Sequence, residues 1–146
     1  MVTKKKAAPK HAKKGGPIVV RGKRKESVAR ASIKKGKGKV RVNRMLLSAL
    51  TNPYEREIIN EPLTMAPAVA SQIDVQIEVH GGGSMGQAQA ARTALARALV
   101  KFTEDADLKS AFMKRDRFIM LEDSRRVEPK KYKGPKARAR FQKSYR

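Results

Sequence analysis

The chain has 146 residues, long enough for one domain with a modest core, and carries 35 lysines and arginines against 13 acids for a net charge of +22. Self-repulsion on that scale is most simply explained by a polyanionic partner, and nucleic acid is the expected one. The absence of cysteine excludes disulfides, zinc knuckles and thiol catalysis without fixing a compartment, and Ile18-Val19-Val20 is too short for a signal-peptide core or a membrane span, so the chain is expected to stay where it is made.

The charge is concentrated at the ends. Residues 1–25 hold ten basic residues and no acid, residues 125–146 hold ten more against Glu128 alone, and the stretch between has 15 basic and 12 acidic residues. The expected organisation is a disordered basic arm over 1–16, a globular domain over 17–124 and an extended basic tail over 125–146, since neither end has the apolar periodicity needed to offset its ordering entropy.

Ile18 to Ile33 reads as two short strands or one bent strand, with Lys39 to Asn43 as its partner and Gly36-Lys37-Gly38 as the hairpin turn. Arg21, Lys23, Arg24, Lys25 and Arg30 fall within ten residues here, a density that favours contact with a nucleic-acid backbone over protection of a solvated edge. Arg44–Leu50 and Tyr54–Ile59 read as short helices, the second opened by Asn52-Pro53. Glu55, Glu57 and Glu61 read as solvated helix surface, because no histidine, glycine loop or metal-ligand spacing accompanies them. Leu63 to Ser71, with Pro62 and Pro67, reads as the connection to Ile73–Val79.

Ile73–Val79 alternates apolar and polar residues with period two, and beyond the glycines Met85, Ala88, Arg92, Leu95, Leu99 and Phe102 recur every three or four, so a strand feeds a helix through a glycine-rich turn. Gly81, Gly83 and Gly86 fit G-x-G-x-x-G. A dinucleotide site is disfavoured, since no βαβ half precedes the motif and no acid ends a strand about 20 residues later. Bare amides at a helix start would instead suit a phosphate, or the glycines simply allow a tight turn and close packing. Ala88, Ala91, Ala94 and Ala98 would let another backbone approach. Asp105-Ala106-Asp107 caps a helix over Leu108–Lys114, and Phe118–Leu121 is assigned to a fourth strand, with a helix end as the alternative. His11 and His80 lie in different elements and build neither a metal site nor a triad.

The last segment sets Tyr132, Phe141 and Tyr145 among its cations, a combination that neutralises phosphates and stacks on unpaired bases. Arg138, Arg140 and Arg146 are suited to bidentate phosphate contact. Composition alone also permits a nucleic-acid chaperone or DNA-compacting protein.

Three blocks together resemble the family of the ninth protein of the small ribosomal subunit: Gly22–Lys25 with Ser27–Ala31; Gly81–Gln87 through Ala90 and Arg97; and Asp123–Tyr132 to Lys143–Arg146. The ending Gln-Lys-Ser-Tyr-Arg resembles the archaeal and eukaryotic branch, and the compact length favours the archaeal type. The resemblance implies an α/β (α+β) body, a mixed sheet with helices packed on it, similar to the second domain of the fifth small-subunit protein. It implies a place on the 3′ major domain of small-subunit rRNA in the head, beside other head proteins, with no catalysis, cofactor, membrane or homo-oligomer. Carried onto this chain, Arg125, Arg126, Lys130, Lys131, Tyr132, Lys136, Arg138 and Arg140 would line rRNA. Gly82, Gly83 and Gln87 join that set, with the basic residues of the first strands. Lys143 and Arg146, with Ser144 and Tyr145 beside them, would meet peptidyl-site tRNA.

Overall fold

A computed structural model describes residues 16–142 and 144. The reading of residues 1–16 as a disordered arm therefore lies, but for Gly16, outside the described residues.

A five-stranded mixed sheet carries the fold, in the order β1 (Ile18–Arg24), β2 (Ser27–Lys35), β5 (Ile73–His80), β3 (Val40–Val42), β4 (Met45–Leu46). All neighbours are antiparallel except β3 and β5. One face is covered by α3 (Ser84–Thr103) and α1 (Pro53–Met65), with α2 (Pro67–Ala70), α4 (Ala106–Arg115) and α5 (Arg117–Met120) beside them. Period-two alternation sends Ala29, Ala31, Ile33, Val75 and Ile77 into the core, where Leu95, Leu99, Phe112 and Ile119 meet them.

The expected hairpin between the first strands and Lys39–Asn43 does not form. β5 lies between β2 and β3, and the hairpin is β1–β2, turning at Lys25-Glu26. The Gly36–Gly38 turn is instead pinned to the start of β5. Gly36 N–H donates to the Gln72 carbonyl (2.9 Å) and Gly38 N–H to that of Ile73 (2.9 Å). The Asp74 carboxylate accepts the amides of Lys37 (2.9 Å) and Lys39 (3.0 Å), which lower its pKa, and stands where a side chain on Gly36 would be.

Three other segments differ from their sequence reading. Arg44–Leu50 is not a helix but β4 and a 3-10 turn over Leu47–Ala49, because Asn43 and Arg44, both at positive φ, reverse the chain after β3. The Asn43 side chain continues the pairing with β5 by donating to the Val79 carbonyl (3.2 Å) and accepting the Val79 amide (2.8 Å). Asn52 caps α1 by accepting the Tyr54 amide (3.0 Å), but the helix runs past Ile59 and through Pro62 to Met65. The backbone bond that Pro62 cannot make is offset by burial of its ring beside Ile59. Finally, Phe118–Leu121 is not a strand. Asp116 caps α5 by accepting the Phe118 amide (2.8 Å), and α3 satisfies its carbonyls: Thr93 donates to Phe118 O (3.2 Å) and Arg97 to Met120 O (2.8 Å).

α3 lies directly on β1. A Cβ on Gly22 would overlap the Ala90 carbonyl oxygen and stand 2.5 Å from the Ala94 nitrogen. Gly22→Ala should therefore destabilise the protein by about 1–3 kcal/mol, the cost of overpacking a rigid contact, read as a lower urea midpoint. An unchanged midpoint would mean that α3 can ride higher over the sheet.

Candidate nucleic-acid interface

The β5–α3 connection turns at Gly81 and Gly82, with φ of 74° and 64°. Ser27, fully buried, donates to the Gly81 carbonyl (3.0 Å), and Gln87 Nε2 donates to the same oxygen (3.1 Å). Gly82 and Gly86 both press on the Ser27 hydroxyl, leaving no room for a Cβ. These glycines thus serve the turn and its packing. Gly83 is different: it is exposed, nothing stands within 4 Å of where its Cβ would be, and it begins α3 without a side-chain cap. The first intrahelical bond comes from Gln87 N–H to Gly83 O (2.9 Å), so the preceding amides end the helix as bare donors.

Beside this helix start lies an open cleft of about 650 Å³, lined by Arg24, Lys25, Gly82, Gly83, Arg125 and Arg126 with Glu26 and Val127. Residues separated by some hundred positions in sequence meet here. Asp123 makes that possible. Its buried carboxylate takes the Arg125 guanidinium through Nε (2.8 Å) and Nη2 (2.5 Å), accepts the Arg125 amide (2.8 Å), and pairs with Arg24 Nη1 at 2.9 Å, an ion pair without hydrogen-bond alignment. The Arg125 side chain, then its amide, hold the Asp123 carboxyl at about 2, and Asp123 in turn raises the Arg125 pKa. Arg24 Nε also donates to Gln89 on α3 (2.8 Å). Arg97 completes the anchor, donating to Arg21 O (2.9 Å) and Glu122 Oε1 (3.0 Å).

Beyond the anchor, residues 125–142 form neither helix nor strand, yet the chain closes on itself. Arg138 pairs with Glu128 through Nε (3.0 Å) and Nη2 (2.6 Å), lowering the Glu128 pKa, and Arg140 donates to the Tyr132 carbonyl (3.1 Å). Gly134 is buried against Ala139, where no side chain would fit.

Residues 22–146 match the family model for ribosomal protein S9/S16. The small ribosomal subunit protein uS9 of the archaeon Methanothrix thermoacetophila is 46% identical over 125 residues, covering 86% of this chain and 95% of that protein. The chain belongs to the ribosomal protein S9/S16 family. Its archaeal relative agrees with the type that the C-terminal sequence and the compact length favour.

In this S9/S16 protein the residues singled out from sequence take different places. Lys25, Gly83 and Arg126 line the cleft, and Lys25 and Arg126 are exposed cations without an ion pair among the described residues. Arg24, Gly82, Gln87 and Arg125 hold the cleft together through the contacts above. Arg21, Lys23 and Arg30 lie elsewhere, on the sheet face opposite α3. In the tail Lys130, Lys131, Tyr132, Lys136 and Ser144 are exposed, whereas Arg138 and Arg140 hold the loop closed. Lys143, Tyr145 and Arg146 lie outside the described residues. Sequence reasoning missed Asp123 and Glu128, the acids that organise these cations; an acid standing two residues before Arg125, where the charge run begins, was the available signal. It also read Glu61 as solvated, whereas Glu61 pairs with Arg92 (2.7 Å) and Arg115 (3.4 Å).

Because the Asp123 pKa falls from 3.8 to about 2 on folding, its anchoring interaction stabilises the fold fully above pH about 4 and disappears as pH drops through about 2. The Arg125 amide should keep its hydrogen-exchange protection down to that range and then lose it. Asp123→Ala, which removes the acceptor as well as the charge, should lose it already at neutral pH. Retained protection in the variant would mean that something other than the carboxylate holds the tail.

Proposed function

We propose that the protein is a structural constituent of the small ribosomal subunit, binding the 3′ major domain of its rRNA in the head, beside other head proteins. The cleft carries the proposal: it joins two exposed cations, the bare amides of α3 and the root of a ten-cation tail on one surface. Phosphate is the ligand this chemistry suits, since amides at a helix start and cations add their attraction for one anion. The tail extends that surface, with Lys130, Lys131 and Lys136 facing solvent for rRNA phosphates and Tyr132 exposed for stacking. Its last residues, Lys143 to Arg146, contact the anticodon stem-loop of peptidyl-site tRNA on this reading. The work is positioning, and no bond is made or broken. The place of action is the ribosome, in the cytoplasm.

Lys25→Ala with Arg126→Ala should lower the log–log salt slope of binding to full-length small-subunit rRNA by about two, one for each phosphate no longer neutralised, while the melting transition stays put. Chemical footprints at raised salt should keep a few protected sites in the 3′ major domain. Diffuse protection that salt abolishes, with equal affinity for duplex DNA, would replace this reading with a nucleic-acid chaperone. Deleting residues 143–146 should leave subunit assembly intact and weaken tRNA retention in the peptidyl site; loss of assembly from that deletion would contradict the division of roles.

A further inference from the structure

The helices cover only one side of the sheet, and among the described residues nothing packs on the other. Strand register arranges that open face in rows. One row runs Val19, Ser32, Gln76, Arg41 across β1, β2, β5 and β3, and the next runs Arg21, Arg30, Glu78. Lys23 and Lys34 flank these rows on the same face, opposite Val28 and Asp74. Shallow depressions of about 440 and 210 Å³ lie to either side of Ser32 and Gln76.

The charge on this face needs a partner. Arg21 stands directly across from Arg30, an arrangement of like charges that weakens a sheet. Among the described residues none of Arg21, Arg30, Lys34 and Arg41 forms an ion pair, whereas Arg24, Arg92, Arg97 and Arg125 all do. Five cations therefore face Glu78 and an Asp74 whose carboxylate is already bound by two amides. The chain's own residues 1–15 carry six lysines and no acid, the wrong charge to cover them.

We propose that this face docks a duplex segment of rRNA across its minor groove. The proposal rests on the rRNA-binding reading above and adds a second surface to it. A single strand is disfavoured because the face carries no Phe, Tyr or Trp on which bases could stack. A duplex asks for what is present: cations at the rim for two phosphate rows, and a hydroxyl and an amide between them for 2′-hydroxyls. From β1 to β3 is three strand spacings, about 14 Å, and Arg30 to Lys34 is about 13 Å along β2, so the cations span a patch rather than a point.

The test combines Arg30→Ala, Lys34→Ala and Arg41→Ala in the full chain and measures binding to full-length small-subunit rRNA. Affinity should fall about tenfold or more and the salt slope by about three, with the melting transition unchanged, whereas Glu78→Gln should bind more tightly than the parent. A photo-crosslinker at position 32 in assembled subunits should react with paired rRNA. Wild-type affinity and slope in the triple variant, or crosslinks to unpaired rRNA, to a protein or to nothing, would each overturn the proposal. Failure of the unmodified protein to bind this rRNA selectively is a different result, and would remove the ribosomal reading itself.

Discussion

α3 approaches the sheet to backbone distance, and most of what the molecule offers to a partner follows from that approach. Gly22 on β1 and Ala90, Ala91, Ala94 and Ala98 on α3 remove the side chains that would hold the layers apart. Close packing of this kind forfeits hydrophobic area at those positions, and the core regains it at the margins through Leu95, Leu99, Phe112, Ile33 and Ile77. The shallow gap fixes where α3 begins. Its first turn comes down beside the β1–β2 hairpin, with Ser27 wedged under Gly82 and Gly86, so bare amides and basic hairpin residues share one rim.

With so few acids in the chain, where they stand matters. Glu61 and Asp116 hold Arg92, Glu122 holds Arg97, Asp123 holds Arg24 and Arg125, and Asp74 holds a turn rather than a cation. Cations that pass close to the core are thereby matched, as partly buried charges require. Among the described residues the unmatched ones include those of the cleft rim, the tail and the open sheet face, alongside solvated lysines and arginines on the helices and turns. Partial burial of Arg24, Arg92 and Arg97, and burial of Asp123 beneath exposed Arg125, makes these pairs structural. Cations left in water cost little in the free protein and interact most strongly with a surface that is itself densely charged.

The strand–glycine–helix unit was legible in the sequence because each part has its own periodicity and a glycine run separates them. The mixed sheet and helices expected from the family resemblance are what the fold contains. Strand order was not legible. Gly36-Lys37-Gly38 looks like a hairpin turn locally, but contacts with the distant start of β5, the Asp74 side chain 37 residues from Lys37 and the Gln72 and Ile73 carbonyls, divert the chain across β5. The helical turn at Phe118–Met120 was hidden for the same reason: Arg97 and Thr93 of α3 supply the donors that a neighbouring strand would have given. In the interface, charge density pointed to the right segments but could not separate Lys25 and Arg126, which face the cleft, from Arg24 and Arg125, which are bound by a buried acid. Burial and ion pairing distinguish them, and neither is a property of the segment alone.

A free tail with ten cations and one acid repels itself and would explore many conformations. Two features narrow that range. Asp123 fixes its root to the hairpin, and ten residues apart Glu128 and Arg138 close a loop that the Tyr132 carbonyl and Arg140 reinforce and that buried Gly134 makes tight. The loop's ion pair is exposed and weak taken alone. Its effect is to turn Lys130, Lys131 and Lys136 outward from a chain already part-way ordered. Less conformational entropy then remains to be given up when a polyanion orders the segment fully, so more of the phosphate attraction is left as binding. The single acid of the tail thus works for anion binding, because it organises more positive charge than it cancels.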